Sequence, residues 1–570
     1  LRTTVDVQHL LDSDTLAKEI SSKWTLWNNN RAEWVEEKEE LRNYVFATDT
    51  RTTTNAKLPW VNSTTTPKLT QIYDNLKANY TAALFPNSNW MRWEADDSNS
   101  ATAAKRDTIQ AYMENKIRQG GFEKTADQLV DDFILYGNCF ATIEFQSNYT
   151  EVDEEQIVGY IGPKIVRVSP HDIVFDPTAA EFKDSPKITR TLMSFGELAK
   201  KTEFADTFRK LVDNRQKVAS ADYTSKSKGY IADGFASIEQ YYDSEYVELL
   251  TFYGDIYDLE SEELMEKRRI TVVDRAYVLH DEPIASWLGA DPFFHASWRS
   301  RPDNLYGMGP LDNLVGMQYR IDHLENLKAD VFDQIALPIL KVQGDVEDFE
   351  YAPGERIIMG EEGNVTPLVP DSTALNADFQ IQTLENKMEE LAGAPRQAMG
   401  IRTPGEKTAF EVQSLQNAAG RIFQHKAAKF EREFIEPVLN SMLEASRRNM
   451  DVSDVIRVLD DETGALLFQN ITKEDITAKG KIVPVGARHF AERAQRVQNI
   501  TQLLQLKADP TIGAHLSGKS IAKLLAEELG EEALYGENIA VVEQAETQSA
   551  ALDAEADLEE QMQVAAEEGL

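Results

Sequence analysis

The chain has 570 residues, 42% hydrophobic and 27% charged, with 59 basic against 96 acidic residues and a formal net charge of −37. That length allows about three or four compact units, and the apolar content excludes wholesale disorder. The acidity argues against a protein that grips nucleic acid by neutralising phosphates, but leaves room for one that encloses DNA without adhering to it. No apolar run approaches the ~20 residues of a membrane helix. The opening LRTTVDVQHLLDSDTL lacks a basic region followed by an apolar stretch, so no secretory signal is expected there. A single cysteine, Cys139, excludes an internal disulfide framework and a multi-cysteine zinc site, and reads as a small buried residue beside Phe140. The N-x-S/T triplets at Asn62, Asn79, Asn148, Asn364, Asn470 and Asn499 then read as chance matches.

In chain order, residues 12–46 predict one helix, with Leu16, Ile20, Trp24, Trp27, Trp34 and Leu41 at helical spacings and the tryptophans packing against neighbours. Further helices are expected over 69–84, 104–119 and 124–136. From Asn138 the pattern alternates as in a strand, and strands follow at 157–161, 165–169, 173–175, 246–253 and 269–279, with a helix at 195–218. The first 300 residues therefore predict an α+β body with an antiparallel meander and no βαβ repeat.

After the turn at 304–310, Leu314, Met317, Ile321, Leu324, Val331 and Ile335 make an amphipathic helix in which Lys328 is the polar break and which Pro338 closes. Short strands at 339–342 and 356–359, separated by glycines, predict a small β module. A second helix follows from Asp371 or Ser372, with Leu375, Phe379, Leu384, Met388 and Leu391 along one side. Gly393, Pro395, Gly400, Pro404 and Gly405 make a loop, and Arg396, Arg402 and Lys407 give it positive charge. It is either a solvated interhelical loop or a nucleic-acid contact. From Thr408 a long helical pattern runs toward Arg448, with Gly420 and Pro437 as kink points. A strand pair at 455–460 and 476–485 and helices at 490–507 and 520–529 complete the pattern. No Lys or Arg follows Lys523.

One motif points to catalysis. GAHLSGKS at 513–520 satisfies G-x-x-x-x-G-K-[ST], the phosphate-cradling loop of nucleotide hydrolases. No buried strand precedes it, and only about fifty residues follow, too few for the parallel sheet such chemistry needs. Gly518 reads as an ordinary break between helices. His171, His295, His323, His425 and His489 are scattered without metal-ligand spacing, and no nucleophile elbow appears. No catalytic residue, metal or cofactor is expected.

Four phrases carry a resemblance: LYGNCF at 135–140, SPHDIVFDP at 169–177, YGMGP at 306–310 and TAFEV at 408–412. Their order, with a helix, an inserted β module, a helix, a loop and a long kinked helix, resembles the portal proteins of tailed bacteriophages, closest in style to those of short-tailed phages. The resemblance implies a wing over 1–304, a first stem helix over 305–335, a clip over 336–373 and a second stem helix over 374–391. It further implies a channel loop over 392–407, a long kinked helix and remaining wing over 408–487, a helical crown over 488–545 and an acidic tail over 546–570. Leu314, Ile321, Leu324, Val331, Leu384 and Met388 would pack the stem, and Arg396, Arg402 and Lys407 would touch DNA. The implied protein is not an enzyme. It is made in the host cytoplasm and sits at one capsid vertex as a ring of twelve copies. Its implied partners are the major capsid protein, terminase, a tail adaptor and double-stranded DNA passing without sequence specificity. A nucleotide-binding hydrolase using 513–520 and a non-portal virion scaffold are the alternatives.

Overall fold

The computed structural model describes residues 4–7, 13–46, 62, 64–85, 90–95, 105–152, 155–194, 196–198, 246–258, 262–275, 277–284, 292–349, 356–370, 372–393, 422–450, 453–459 and 466–486. They fall into two compact units, one of Leu1–Ala82 with Lys116–Asn449, the other of Ala83–Asn115 with Met450–Leu570. The predicted helices at 195–218, 490–507 and 520–529 lie wholly or mostly outside the described residues.

The first unit opens with strand β1 (Thr4–Val7). The single helix expected over 12–46 is two, α1 (Ser13–Asn30) and α2 (Ala32–Val45). The break at Arg31 has a physical cause. Three asparagines precede it, poor helix formers, and its buried guanidinium is drawn to main-chain carbonyls elsewhere. Nη1 donates to Pro170 (2.6 Å) and Ile173 (2.7 Å), Nη2 donates to His171 (2.6 Å), and Nε and Nη2 both reach Asn28 Oδ1. Trp24 is buried in the core, and Trp34 packs against Tyr306 at 5.2 Å and Tyr136 at 6.3 Å.

Next come α3 (Lys68–Leu84), β2 (Met91–Ala95), α4 (Arg106–Gln119) and α5 (Phe122–Leu135). β3 (Asn138–Val152) and β4 (Glu155–Val168) form a long hairpin. The sequence predicts two strands where β4 is one, because Gly162 and Pro163 suggest a break. β4 lies at the edge of its sheet, where a proline without an N–H costs no ladder bond.

A meander of β5 (Ile173–Phe175), β6 (Lys187–Ser194), β7 (Tyr246–Asp258), β8 (Glu263–Val273) and β9 (Tyr277–Pro283) follows, and β1 adds to it parallel to β7. Leu16, Ile20 and Trp24 of α1 pack on Val174, Ile188, Leu250, Phe252, Ile270 and Val272 of this sheet. Amphipathic spacing thus becomes one helix laid over one sheet face. β6 escapes the sequence pattern because buried cations interrupt its apolar residues. Lys187 donates to Ser185 O, and Arg190 pairs with Asp172 at 2.9 Å.

β10 (Phe293–Ser297) pairs antiparallel with β3, and β11 (Arg299–Arg301) and β12 (Asn304–Met308) form a short hairpin. Here two of the quoted phrases interlock. Asn138 accepts the Gly307 N–H at 2.9 Å and donates to Gly307 O at 3.1 Å. Gly137 has φ +66°, and a Cβ there would lie 2.3 Å from Gly309 N and 2.4 Å from Met308 C. Left-handed strain and backbone overlap add, so Gly137→Ala is expected to destabilise this unit by about 3 kcal/mol, read as a lowered denaturant midpoint.

In the second unit, β15 (Ser453–Leu459) pairs with β16 (Leu466–Thr472), and β17 (Gly480–Pro484) pairs with β2. This corrects the expected pairing of 455–460 with 476–485. A helical turn closed by a Thr472–Asp475 capping box separates β16 from β17. The fold is α+β.

Candidate channel and assembly site

Past the 3-10 turn Asp312–Leu314 the first unit extends a helix, α6 (Val315–Ala336), whose 22 residues span ~33 Å. Its start is anchored. Asp312 pairs with the buried Lys38 of α2 and accepts the Gly309 N–H at 2.9 Å, and Leu311, Leu314 and Ile321 are fully buried. Beyond Asn326 no residue of the helix is buried, and Phe332 is 64% exposed. β13 (Ile339–Gln343) and β14 (Asn364–Leu368) then pair antiparallel. The strand expected over 356–359 is instead a single bridge from Met359 to Val346. The chain returns through α7 (Asp378–Ala392).

Two contacts set α7 antiparallel to α6. Lys328 pairs with Asp378 at 2.7 Å and with Glu325 at 2.9 Å, so the polar break in the apolar row is an ion-pair centre. At the other end of α7, Glu389 meets Lys68 of α3 at 2.6 Å with both side chains buried. Of the residues predicted to pack the stem, Leu314, Ile321, Leu324 and Met388 are buried, while Val331 and Leu384 are half-buried.

Sequence reasoning missed the other face of α6. Gln318, Asp322, Asn326, Asp330 and Asp333 form a polar row at steps of four, four, four and three. Asn62, Thr64 and Thr66 bond along it. Gln318 Nε2 donates to Thr66 O, and Asp322 Oδ1 accepts the Thr66 N–H. Asn326 accepts the Thr64 N–H and donates to Thr64 O, and Asp330 accepts the Asn62 N–H. Asn62 Nδ2 reaches both Asp330 and Asp333 at 2.8 Å. The backbones of Asn62, Thr64 and Thr66 thus bond to side chains that recur one helical turn apart. The repeat was visible in the sequence as polar residues four apart.

Asp322 sits buried at the centre of this row, its Oδ2 without a hydrogen bond, and burial raises its pKa to about 6. A carboxyl whose folded pKa lies above its unfolded value adds stability below the unfolded value and loses it as pH rises through about 6. Hydrogen-exchange protection at the Thr66 amide, corrected for intrinsic rates, is therefore expected to rise as pH falls through 6. Asp322→Asn should flatten that profile.

The β13–β14 hairpin has no core of its own. Ile358 is 62% and Phe379 79% exposed, and Ile339, Val342, Met359, Leu368 and Val369 are exposed around them. Exposed apolar side chains in such number are uncommon on a monomer's surface.

Arg396, Arg402 and Lys407 lie outside the described residues, as does 513–520. His323 stacks on Tyr319 at 6.3 Å, and the buried His171 and half-buried His295 have pKa values lowered to about 3 by desolvation first, so neither titrates near neutrality. Cys139 is buried, its thiol pKa raised by desolvation. Among the described residues no His, Cys, Asp and Glu cluster could hold a metal, and no helix is long and apolar enough to cross a membrane.

Among the described residues, the helical pair α6–α7 thus carries a β hairpin whose apolar side chains face outward. The sequence model of the phage SU10 portal protein family matches residues 59–567, most of the chain, and the chain belongs to that family. No curated protein matches it.

Proposed function

We propose that this portal protein assembles into a ring of twelve copies at one capsid vertex, through which double-stranded DNA is packaged and ejected. The family membership supports the ring, the virion location and the junction of capsid, terminase, tail and DNA. In this reading 305–335 and 374–391, the stretches of α6 and α7, are the stem and 336–373 the clip, which faces terminase and then the tail adaptor. Residues 1–304 with much of 408–487 are the wing, and 488–545 the crown. Arg396, Arg402 and Lys407 line the channel. Twelve acidic subunits repel phosphate, and the few cations make shallow, sequence-blind contacts, so DNA slides. The chain is not an enzyme, and a terminase supplies the energy.

The observation that carries this reading is the apolar surface concentrated between Leu327 and Phe379. Burying each such side chain against a neighbouring copy contributes about 1.5–3 kcal/mol. Negative-stain electron microscopy of the full chain is expected to show rings with a central hole and about twelve lobes, the family's count. The double variant Ile358→Asp/Phe379→Asp, folded by circular dichroism, is expected to lose them. Closed particles without a hole, or filaments, would sink the channel.

A further inference from the structure

A cluster of cations stands where β10 ends and the β11–β12 hairpin begins, against the helix that occupies 422–449. Lys426 Nζ donates to Trp298 O at 2.7 Å and lies 4.6 Å from the indole centroid. Lys429 Nζ donates to Ser297 O at 2.9 Å and to Ser300 Oγ at 2.6 Å. The Arg299 guanidinium lies 5.1 Å from the same indole, which is buried and fixed by donating to Tyr80 Oη at 2.8 Å. Arg301 is exposed one residue beyond Ser300.

The acidic side of this account is short. Glu433 lies 3.6 Å from Lys429 and also pairs with Arg432, and Asp303 is exposed at the hairpin turn. Among the described residues Arg299 and Arg301 have no carboxylate within ion-pair distance, in a chain with 96 acidic residues. Burial and the charges of Lys429 and Arg299 hold the Lys426 ammonium below its ordinary pKa, against the opposing Glu433. The cations repel one another, and the main-chain bonds that pin the lysines keep them together nonetheless.

We propose that Arg299, Arg301, Lys426 and Lys429, with the Ser300 hydroxyl, form a binding site for the backbone phosphates of double-stranded DNA. Guanidinium, ammonium and hydroxyl donors side by side are the set that contacts phosphate without reading bases. The lysines are already ordered by protein bonds, so little further ordering is required when DNA arrives, while the two arginines face solvent. This rests on the portal reading above and adds a contact separate from the 392–407 loop. In a chain of net charge −37 such a patch acts as a local hold on DNA that the net charge otherwise repels.

The test uses assembled full-length protein and a labelled duplex of about 30 base pairs, with binding followed by anisotropy from about 50 to 200 mM salt. Arg299→Ser/Arg301→Ser is expected to weaken binding about tenfold at the lower salt. It should also flatten the salt dependence by about 0.9 log units per log unit for each phosphate released. Arg299→Lys/Arg301→Lys, which keeps the charge, should retain most of the affinity. Three results overturn the site: unchanged affinity and slope in the serine variant, a wild type that binds no duplex at low salt, and serine-variant rings that fall apart. The last would mean that the arginines meet a neighbouring copy's carboxylates instead. Ring formation in micrographs of the same samples reports separately on the portal reading, so binding curves that fail with rings intact sink only the site.

Discussion

Arg31→Ala is expected to destabilise the first unit by about 4–6 kcal/mol, more than Gly137→Ala. The guanidinium donates to three main-chain carbonyls, those of Pro170, His171 and Ile173, and all of these contacts are buried. Removing it leaves three acceptors away from water, each costing about 1–3 kcal/mol. It also opens a void between the two N-terminal helices and the turn before β5. Arg31→Lys should recover about half, because one ammonium centre cannot reach three carbonyls held in fork geometry. Denaturant midpoints of exchange protection in β6 measure both variants. A loss under about 1 kcal/mol for alanine would mean that water replaces the guanidinium and that the carbonyls are not sealed.

The second large effect concerns the base of the α6–α7 projection. Lys68 and Glu389 meet at 2.6 Å with side chains 6% and 4% exposed, and Lys68 also donates to Gln71. Breaking a buried pair by removing one partner strands a charge in low dielectric, so Lys68→Met and Glu389→Leu are each expected to cost about 3–5 kcal/mol. The double variant replaces both charges with apolar groups and should lie near wild type. Its cycle should return a coupling about as large as the two single losses together, about 6–10 kcal/mol. Additive, small losses would show a solvated pair and remove the anchor.

Much of the local structure was legible. The alternation from Asn138 made β3, and the apolar spacing of Leu314, Ile321 and Leu324 made the buried start of α6. The glycines of 306–310 marked the turn that Gly137 approaches. What was hidden depended on distant partners. Arg31 breaks a helix to serve carbonyls some 140 residues away. β6 carries cations whose partners came only with the fold. β2 and β17 pair across almost 400 residues, and neither carries a local sign of the other.

The site divided along the same line. The two helices and the inserted β module were legible from periodicity and glycines. Asn62, Thr64 and Thr66 show no periodic signal because their backbone bonds go to side chains. Met359 looked like strand but pairs only once, since a glycine-rich turn intervenes. Arg299, Arg301, Lys426 and Lys429 come from segments more than 120 residues apart, and charge counting along the chain cannot collect them.

The row of bonds between Asn62, Thr64, Thr66 and α6 also fixes the register of that helix. Asn326 both accepts from and donates to the Thr64 backbone, a double role that an ionised aspartate cannot fill. Shifted by one helical step, the row would set Asp330 opposite Thr64 and leave its carbonyl without a donor. One donor-bearing side chain among carboxylates thus acts as a key: the helix and the segment match at a single height.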